Sequence, residues 1–226
     1  MTVSTDRYAL SFTSGGLLVR EADVIVAEYL RRRDWVAARQ AVVKQNLLQA
    51  CTTSSSVRVT RETIQRLSML DDSELELLAE SSPTERCHLM WAAVCRRYDL
   101  VGEFAEEVLR ERFLLMTLAL GVDDFERFLT GKSLWHPELD ELQPSTRTKL
   151  RQSIFRMLHD AGLLAKEGAI IPAVLSARVH EAIAARDRSD VRFFPIDLVG
   201  GGNLVGTDLP RIEQALVKRG LQTGYR

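Results

Sequence analysis

The chain has 226 residues, of which 46% are hydrophobic and 27% charged, and its formal net charge at pH 7 is −1. This length and composition suffice for a sizeable core and fit one large domain or two small ones. The longest apolar run, residues 113–122, is shorter than the roughly 20 residues that cross a bilayer, and the polar first residues lack a signal-peptide core. We therefore expect a cytoplasmic protein with no membrane segment, whose three cysteines stay reduced.

Helical periodicity dominates the first third of the chain. It predicts helices over residues 17–32 and 35–45, and a third helix from Ser54 or Ser55 to about residue 70. Because the connections are short, these helices resemble a helix-turn-helix element, with hydroxyl groups at residues 52–56 where a helix N-terminus binds phosphate. Any compact three-helix bundle gives the same pattern.

The third of these helices has two distinct faces. Its predicted inner face contains Val57, Thr60, Ile64 and Leu67. The polar side chains that point elsewhere are the predicted DNA contacts of this helix, namely Arg58, Arg61, Gln65 and Arg66.

Charge is strongly segregated along the chain. Residues 67–142 hold seventeen acidic against seven basic residues, whereas residues 20–66 hold nine basic against five acidic, and residues 143–166 hold five basic against one acidic. Two basic blocks separated by an acidic one suit a protein whose basic elements meet a polyanion. The alternative is chance segregation, or neutralisation of the basic blocks by the acidic one within the fold.

The acidic region is also predicted to be helical, over residues 72–79, 83–99 and 100–120, with a further helix starting at Asp123 or Asp124. The second of these carries a wide apolar band, as expected of a central helix packed on several others. The glutamates of the third are explained, without catalysis, by salt bridges to Arg110 and Arg112 of the same helix.

Two groups in this region invite a chemical interpretation. Cys87, His88 and Cys95 are metal-ligating residue types, but they lack a close CxxC pair, so we expect structural thiols and no metal. His136 could act as a general base, but no nucleophile and orienting acid accompany it, which favours packing or hydrogen bonding. Because no cofactor loop stands out either, the sequence predicts a protein that is not an enzyme and has no cofactor.

The most informative segment is STRTKLRQSIFRMLHDAGLL, residues 145–164, a predicted helix capped by Ser145 and closed by Gly162. At roughly 100° per residue, its apolar side chains form one stripe and its polar ones lie opposite. Polar side chains of these types reach phosphates and base edges when a helix lies in the major groove. A solvated basic face is the alternative. The predicted DNA contacts are Thr148, Lys149, Gln152 and Arg156, with Arg147 and Arg151 as supporting phosphate contacts.

Turn signals follow this helix. Residues 166–168 can turn a short hairpin in the position of a β wing, and Pro172 can open a helix that ends near Arg186. The glycine-rich VGGGNLVG, residues 199–206, lacks the GK[ST] ending of a P-loop, so we interpret it as a turn before a helix over residues 208–219.

Several idiosyncratic stretches cover most of residues 8–165. They are YALSFTSGGLL (8–18), NLLQACTTSSSVR (46–58), RLSMLDDSELELL (66–78), MWAAVCRRY (90–98), FAEEVLRERF (104–113), WHPEL (135–139) and STRTKLRQSIFRMLHDAGLL (145–164). Together they resemble the BrxA family, a core component of bacterial BREX phage-defence systems. The resemblance implies an all-helical fold with helix-turn-helix-like elements and binding to double-stranded DNA, within a system that methylates host DNA and blocks phage replication. It does not imply the methyltransferase itself.

We therefore predict an all-α protein with two helix-turn-helix-like elements, the second followed by a short β wing. One element lies in an N-terminal subdomain, residues 1–80, and the other in a C-terminal subdomain, residues 81–226. The predicted function is a non-catalytic subunit that binds double-stranded DNA beside other BREX proteins. The alternatives are a protein-interaction scaffold whose acidic middle and apolar surface recruit other BREX subunits, and an RNA-binding helical module.

Overall fold

A computed structural model describes residues 7–13 and 15–196 of the chain. Within these ranges the protein is helical, with two isolated β-bridges and no strand, so the predicted all-α class is confirmed. The helices are α1 (Val19–Arg32), α2 (Trp35–Lys44), α3 (Thr53–Leu67), α4 (Asp72–Glu80), α5 (Pro83–Arg97), α6 (Asp99–Phe104), α7 (Glu111–Leu114), α8 (Val122–Ser133), α9 (Pro137–Asp140), α10 (Pro144–Asp160) and α11 (Ala177–Arg186). A π-helical segment (Ala105–Arg110) joins α6 to α7, and short 3-10 turns occupy Ser11–Thr13 and Arg188–Phe193.

Capping residues explain where several helices begin. The Ser82 hydroxyl accepts the Glu85 amide while the Glu85 carboxylate accepts the Ser82 amide, a reciprocal capping box that opens α5. Helix α3 starts slightly earlier than predicted, because Thr52 accepts the Ser55 amide at 3.2 Å.

Three predicted boundaries are wrong. Ser145 does not cap α10, which begins at Pro144 after an extended Gln143. Pro172 does not open α11, because the next residue, Ala173, donates its amide to the Pro195 carbonyl at 3.0 Å. The helix begins at Ala177, where Ser176 is the N-cap. The helix predicted to reach residue 120 ends at Leu114, where Met116 takes a left-handed φ of 56°.

Helix α5 is the centre of the core, as its apolar band predicted. Residues 89–95 are all buried, and α1, α3, α4, α10 and α11 pack against this helix. Trp91 is fully buried, and its indole Nε1 donates to the Phe193 carbonyl at 2.8 Å, so the polar atom of this large side chain is satisfied inside the core.

The predicted wing is reduced to a tight turn. Gly168, at φ 86°, donates its amide to the Ala165 carbonyl at 2.9 Å, and single bridges join Leu164 to Ile170 and Ala119 to Ala169. A methyl group at Gly168 would lie 2.8 Å from the Leu120 carbonyl oxygen, so both the backbone angle and the space require glycine here.

All described residues belong to one compact unit that extends to Ile196. Because α1, α3 and α4 pack directly on α5, no gap in packing marks residue 80, and the proposed division into 1–80 and 81–226 stays a prediction. The glycine-rich turn at 199–206 and the helix predicted over 208–219 lie outside the described residues.

His88 gives the core a pH dependence. Its side chain is 4% exposed and lies edge-to-face on Phe194, with ring centroids 5.9 Å apart. Burial lowers the pKa of this imidazole below its ordinary value. The neutral form is therefore favoured in the folded chain, while the unfolded chain takes up a proton near its ordinary pKa of about 6.5.

We expect the free energy of unfolding to fall as the pH drops below about 6.5 and to stop falling on this account once the pH is below the folded pKa of His88. In His88→Phe, and in His88→Gln as a second variant, this fall should be shallower, because the other histidines are common to all three proteins. Urea unfolding between neutral and mildly acid pH measures it, and equal slopes in all three proteins would refute the assignment.

Candidate nucleic-acid interface

Helix α10 presents the polar face that its sequence predicted. Its apolar stripe, Leu150, Ile154, Met157, Leu158 and Ala161, is buried, and Gly162 at φ 71° ends the helix. On the opposite side Lys149, Gln152 and Arg156 are exposed. We call these three residues the α10 basic face.

The remaining α10 candidates are engaged within the fold. Arg147 donates to the Leu139 carbonyl at 3.1 Å and lies 3.7 Å from an Asp140 oxygen. Arg151 pairs with Glu126 at 2.8 Å, and Thr148 is half-buried. By contrast, Lys149 and Arg156 have no ion pair with any residue in the described part of the chain. The positive charge still available on this helix therefore belongs to the α10 basic face.

Helix α3 is turned differently from its prediction. Thr60 and Leu67 of the predicted inner face are buried, but Val57 and Ile64 are only half-buried. Most of the truly buried face is polar, made of Ser56, Thr60, Glu62, Thr63 and Arg66. The predicted inner face was chosen from the spacing of apolar residues, which does not detect a buried face made of polar residues. The prediction therefore put Val57 on the inner face of α3, although this side chain is only half-buried.

Arg66 is consequently not a surface residue, and this corrects its assignment as a DNA contact. Its side chain is 0% exposed, pairs with Glu62 at 2.9 Å and donates from Nη1 to the Gly16 carbonyl at 2.8 Å. The Tyr98 hydroxyl donates to the same Glu62 carboxylate at 2.6 Å. Arg66 thus joins α3 to the segment before α1, and its partner Glu62 joins α3 to Tyr98, directly after α5.

The other α3 candidates stay at the surface. Arg58 and Arg61 are exposed and make no ion pair with the described residues, and Gln65 is half-buried. The connection from α2 to α3 spans residues 45–52 and is longer than the 3–4-residue turn of a helix-turn-helix motif. Helices α1, α2 and α3 pack on one another, so what the structure shows is a three-helix bundle with a cationic outer face.

Helices α3 and α10 both contact the main chain of Gly16 and Leu17, just before α1. Asp160, at the end of α10, accepts the Leu17 amide at 2.9 Å, next to the Gly16 carbonyl that Arg66 of α3 holds. Arg156 reaches this place as well, since its Nε would lie 3.0 Å from a methyl group on Gly16.

The sequence analysis did not single out the polar side chains of α2. Arg39, Gln40 and Lys44 of this helix line a surface groove of about 510 Å³, with Val36, Val43 and Val57 as its apolar lining. We call it the α2–α3 groove. The signal was present in the sequence as two cations five residues apart on a short helix, but α2 was assigned only as the partner of α3.

Acidic residues of the region 67–142 largely form ion pairs with residues of other helices. Lys132 of α8 pairs with Glu103 and Glu107 at 2.6 and 2.7 Å, and Arg192 pairs with Glu106 at 3.0 Å. These partners lie on other elements, so the predicted salt-bridge ladder within one helix is wrong. Arg96 is buried between Glu74 and Asp190 at 2.8 and 2.6 Å, and these two ion pairs also bind helices together.

The residues weighed for metal binding or catalysis have structural surroundings. Cys95 is buried and Cys87 half-buried, and burial raises the pKa of both thiols. The His136 ring lies against the Tyr8 ring at a tilt of 38°, with centroids 4.1 Å apart, and its Nδ1 lies 3.5 Å from Glu138. In the ranges that the structure describes, no group of three or more His, Cys, Asp or Glu residues could hold a metal ion.

The geometry defines a helical protein in which α3 and α10 present cations that have no ion-pair partner among residues 7–13 and 15–196. Comparison with known proteins gives the family. The BrxA family model matches residues 6–187, and the chain therefore belongs to the BrxA family. A BREX protein BrxA of Escherichia coli is 28% identical over 148 residues, covering 66% of this chain and 70% of that protein. A BREX protein BrxA of Paramagnetospirillum magneticum is 22% identical, covering 70% of this chain and 79% of that protein.

A solved structure supports the fold. The crystal structure of an uncharacterized protein from Magnetospirillum magneticum superposes with a TM-score of 0.72 at 21% identity, covering 84% of this chain and 98% of that chain. Membership of the BrxA family makes the protein a component of a BREX antiviral defence system. None of the helices in residues 7–13 and 15–196 is long and apolar enough to cross a membrane.

The buried position of Arg66 predicts a large effect on stability. Arg66→Met leaves the Glu62 carboxylate without its cation and the Gly16 carbonyl without its donor, so we expect unfolding to become easier by about 3–5 kcal/mol. Arg61→Met, on the exposed side of the same helix, should change stability by no more than about 0.5 kcal/mol. Chemical denaturation measures both.

A second variant keeps this test independent of a general loss of packing. Adding Glu62→Gln to Arg66→Met removes the stranded charge, so the double variant should be more stable than Arg66→Met alone. If Arg66→Met behaves like Arg61→Met, Arg66 is not the buried link described above.

Proposed function

We propose that this protein is a non-catalytic, double-stranded DNA-binding subunit of its BREX system, supporting DNA recognition for host methylation and phage exclusion. The observation that carries the proposal is the α10 basic face, where two cations without a partner in the described residues flank an exposed amide side chain. Lysine and arginine bind phosphate, and glutamine can also read a base edge in the major groove.

Helix α3 supplies the second contact. Arg58 and Arg61 are exposed on the outside of the N-terminal bundle, and Gln65 lies beside them. Arg147 and Arg151 have a positioning role in this proposal, because the fold already holds their side chains, and the half-buried Thr148 is a supporting contact. No reacting group is assigned: the buried Arg96 and the packed His136 have partners that account for them, which supports a binding function in place of catalysis.

Reversing charge on the α10 basic face tests the proposal. Lys149→Glu/Arg156→Glu should abolish most binding to duplex DNA in a gel-shift assay, with circular dichroism unchanged, because both side chains are exposed. If both side chains bind phosphate, the dependence of log affinity on log salt should become shallower by about 0.9 for each cation that is replaced.

A matched control is Arg188→Glu, an equal charge reversal at an exposed arginine outside both helices, which should change affinity much less than Lys149→Glu or Arg156→Glu alone. Unchanged affinity in the double variant would refute the assignment of this face. Competition with structured RNA at matched salt decides between the DNA-binding and RNA-binding alternatives.

A protein-interaction scaffold is the second candidate, and a separate observation favours it. Leu114, Leu115 and Met116, at the end of α7, and Val122, at the start of α8, are all exposed. Exposed apolar residues this close together mark binding surfaces.

We expect other proteins of the same BREX system to co-purify with the chain through this surface. The complex should survive nuclease and high salt and should weaken in Leu115→Ala/Met116→Ala. Val174→Ala, at an exposed apolar residue elsewhere, serves as control. Co-purification that is equal in both variants, or that nuclease abolishes, would count against a scaffold.

A further inference from the structure

A cavity of about 500 Å³ lies beside the C-terminal end of α5. Its walls come from α5, α6, the π-helical segment Ala105–Arg110, the end of α11 and the 3-10 turn Arg188–Phe193. The volume falls within the range of cavities that bind small ligands, and π-helical segments are frequent at functional sites. We call it the Arg96 cavity, after the buried arginine in its wall. None of the described residues that line it is a proposed DNA contact.

Arg96 is a buried cation that has donors to spare. Its side chain is 8% exposed, its Nε donates to Asp190 at 2.6 Å, and its Nη1 donates to Glu74 at 2.8 Å. The remaining nitrogen, Nη2, is buried and has no hydrogen-bond partner among the described residues. Because buried polar groups are almost always hydrogen-bonded, an acceptor from outside the chain would complete this guanidinium.

A second guanidinium lies close to the first. Arg186, the last residue of α11, lines the cavity with its Nη1 3.8 Å from the Glu74 carboxylate that Arg96 also holds, a distance too long for a hydrogen bond. Its side chain is 38% exposed. Guanidinium groups bind a carboxylate through parallel N–H donors, so a ligand carboxylate matches the donors that these two arginines have free.

Acidic residues outnumber arginines in the wall of the cavity. The acidic ones are Asp99, Glu103, Glu106, Asp187 and Asp190, against Arg96, Arg186 and Arg192. Lys132 pairs with Glu103 at 2.6 Å, but Asp187 accepts the Ser189 amide at 2.8 Å and makes no ion pair with the described residues. Such an excess of negative charge repels a polyanion and attracts a cation. The ligand therefore needs an ammonium group as well as a carboxylate.

The cavity also has an apolar part. Met69, Cys95 and Phe193 line it, and both Cys95 and Phe193 are buried members of the core. The Arg192 guanidinium lies over the Phe193 ring, with its central carbon 5.0 Å from the ring centroid. An apolar group of the ligand would leave water by packing here.

We propose that the Arg96 cavity binds a free amino acid with an apolar side chain. The α-carboxylate accepts from Arg96 and Arg186, the ammonium group donates to Asp187, and the side chain packs on Met69 and Phe193. The three groups of such a ligand correspond to the three parts of the wall. Because the ligand contacts α5, α11 and the 3-10 turn together, its binding stabilises the folded chain.

Isothermal titration calorimetry of the full chain tests the proposal, with L-leucine, L-methionine and L-phenylalanine as separate ligands. At least one of them should bind saturably at a single site, with a Kd on the order of 10 μM to 1 mM for so small a molecule. The unfolding temperature should rise with the concentration of the same amino acid. Absence of saturable binding for all three overturns the proposal.

Analogues that lack one charged group test the zwitterion requirement. For leucine these are 4-methylpentanoate, without the ammonium group, and 3-methylbutylamine, without the carboxylate. Each should bind at least about tenfold more weakly than leucine, because one charged contact is lost. If the amine binds as well as leucine, the cavity is a cation site that does not use Arg96. If inorganic phosphate binds more tightly than any amino acid, it is an anion site. Either result overturns the proposal.

Variants locate the site. Arg186→Gln removes a cation that no hydrogen bond holds within the described residues, so the variant should fold like the wild type and bind the amino acid at least about tenfold more weakly. The matched control is Arg188→Gln, at an exposed arginine two residues later that is not among the described lining residues, and its affinity should equal that of the wild type. Arg96→Lys, which keeps the buried charge but removes Nη2, should also weaken binding.

Equal amino-acid affinity in Arg186→Gln and Arg188→Gln places any binding elsewhere and overturns the proposal. The affinity of Arg186→Gln for duplex DNA should equal that of the wild type, because the proposed DNA contacts lie on α3 and α10. Failure of the amino-acid site therefore leaves the proposed function untouched.

Discussion

The arrangement of the two basic helices depends on how one short stretch of main chain is held. The Gly16 carbonyl accepts the buried Arg66 of α3 at 2.8 Å, and the next amide, of Leu17, donates to Asp160 of α10 at 2.9 Å. A methyl group on Gly16 would lie 2.0 Å from the Asp160 carboxylate oxygen, so the approach requires glycine. The relative position of α3 and α10 is therefore fixed by polar contacts to two consecutive residues, in addition to the packing of both helices on α5.

Such a link is stable only if its charge is satisfied. A buried guanidinium costs several kcal/mol of desolvation, and its removal strands whatever it paired with. Here Glu62 lies one turn before Arg66 on the same helix, and Tyr98, directly after α5, donates to the same carboxylate, so α3, the segment before α1 and the end of α5 share one small network. Because those contacts draw α3 inward along its polar side, Val57 is left half-buried at the rim of the α2–α3 groove, and Arg58 and Arg61 are left in solvent.

Sequence reasoning succeeded where the determinants are local and apolar. The stripe of α10 and the band of α5 are made of apolar residues at helical spacing, from Leu and Trp to Ala and Cys, and both were predicted and are buried. It failed for α3, because the Gly16 carbonyl that accepts from Arg66 lies fifty residues earlier in the chain and no local pattern indicates a polar core face. It also left Arg151 available as a supporting phosphate contact, since the carboxylate that engages this arginine is Glu126 on α8. The exposure of Trp135 was equally out of reach, because an apolar side chain after an amphipathic helix is ordinarily buried.

The charge segregation along the chain therefore supports the proposed DNA binding less than its totals suggest. Part of the acidic block does neutralise the second basic block, as the pairing of Arg151 with Glu126 shows. The proposed phosphate contacts that keep an unpaired charge within the described residues are Arg58, Arg61, Lys149 and Arg156. Four contacts correspond to a salt slope of about 3.6 log units, which is moderate for a duplex-binding protein. An assembly that aligns several copies, or several subunits, on one duplex would multiply those contacts, because linked binding sites gain affinity without any new interaction in the single chain.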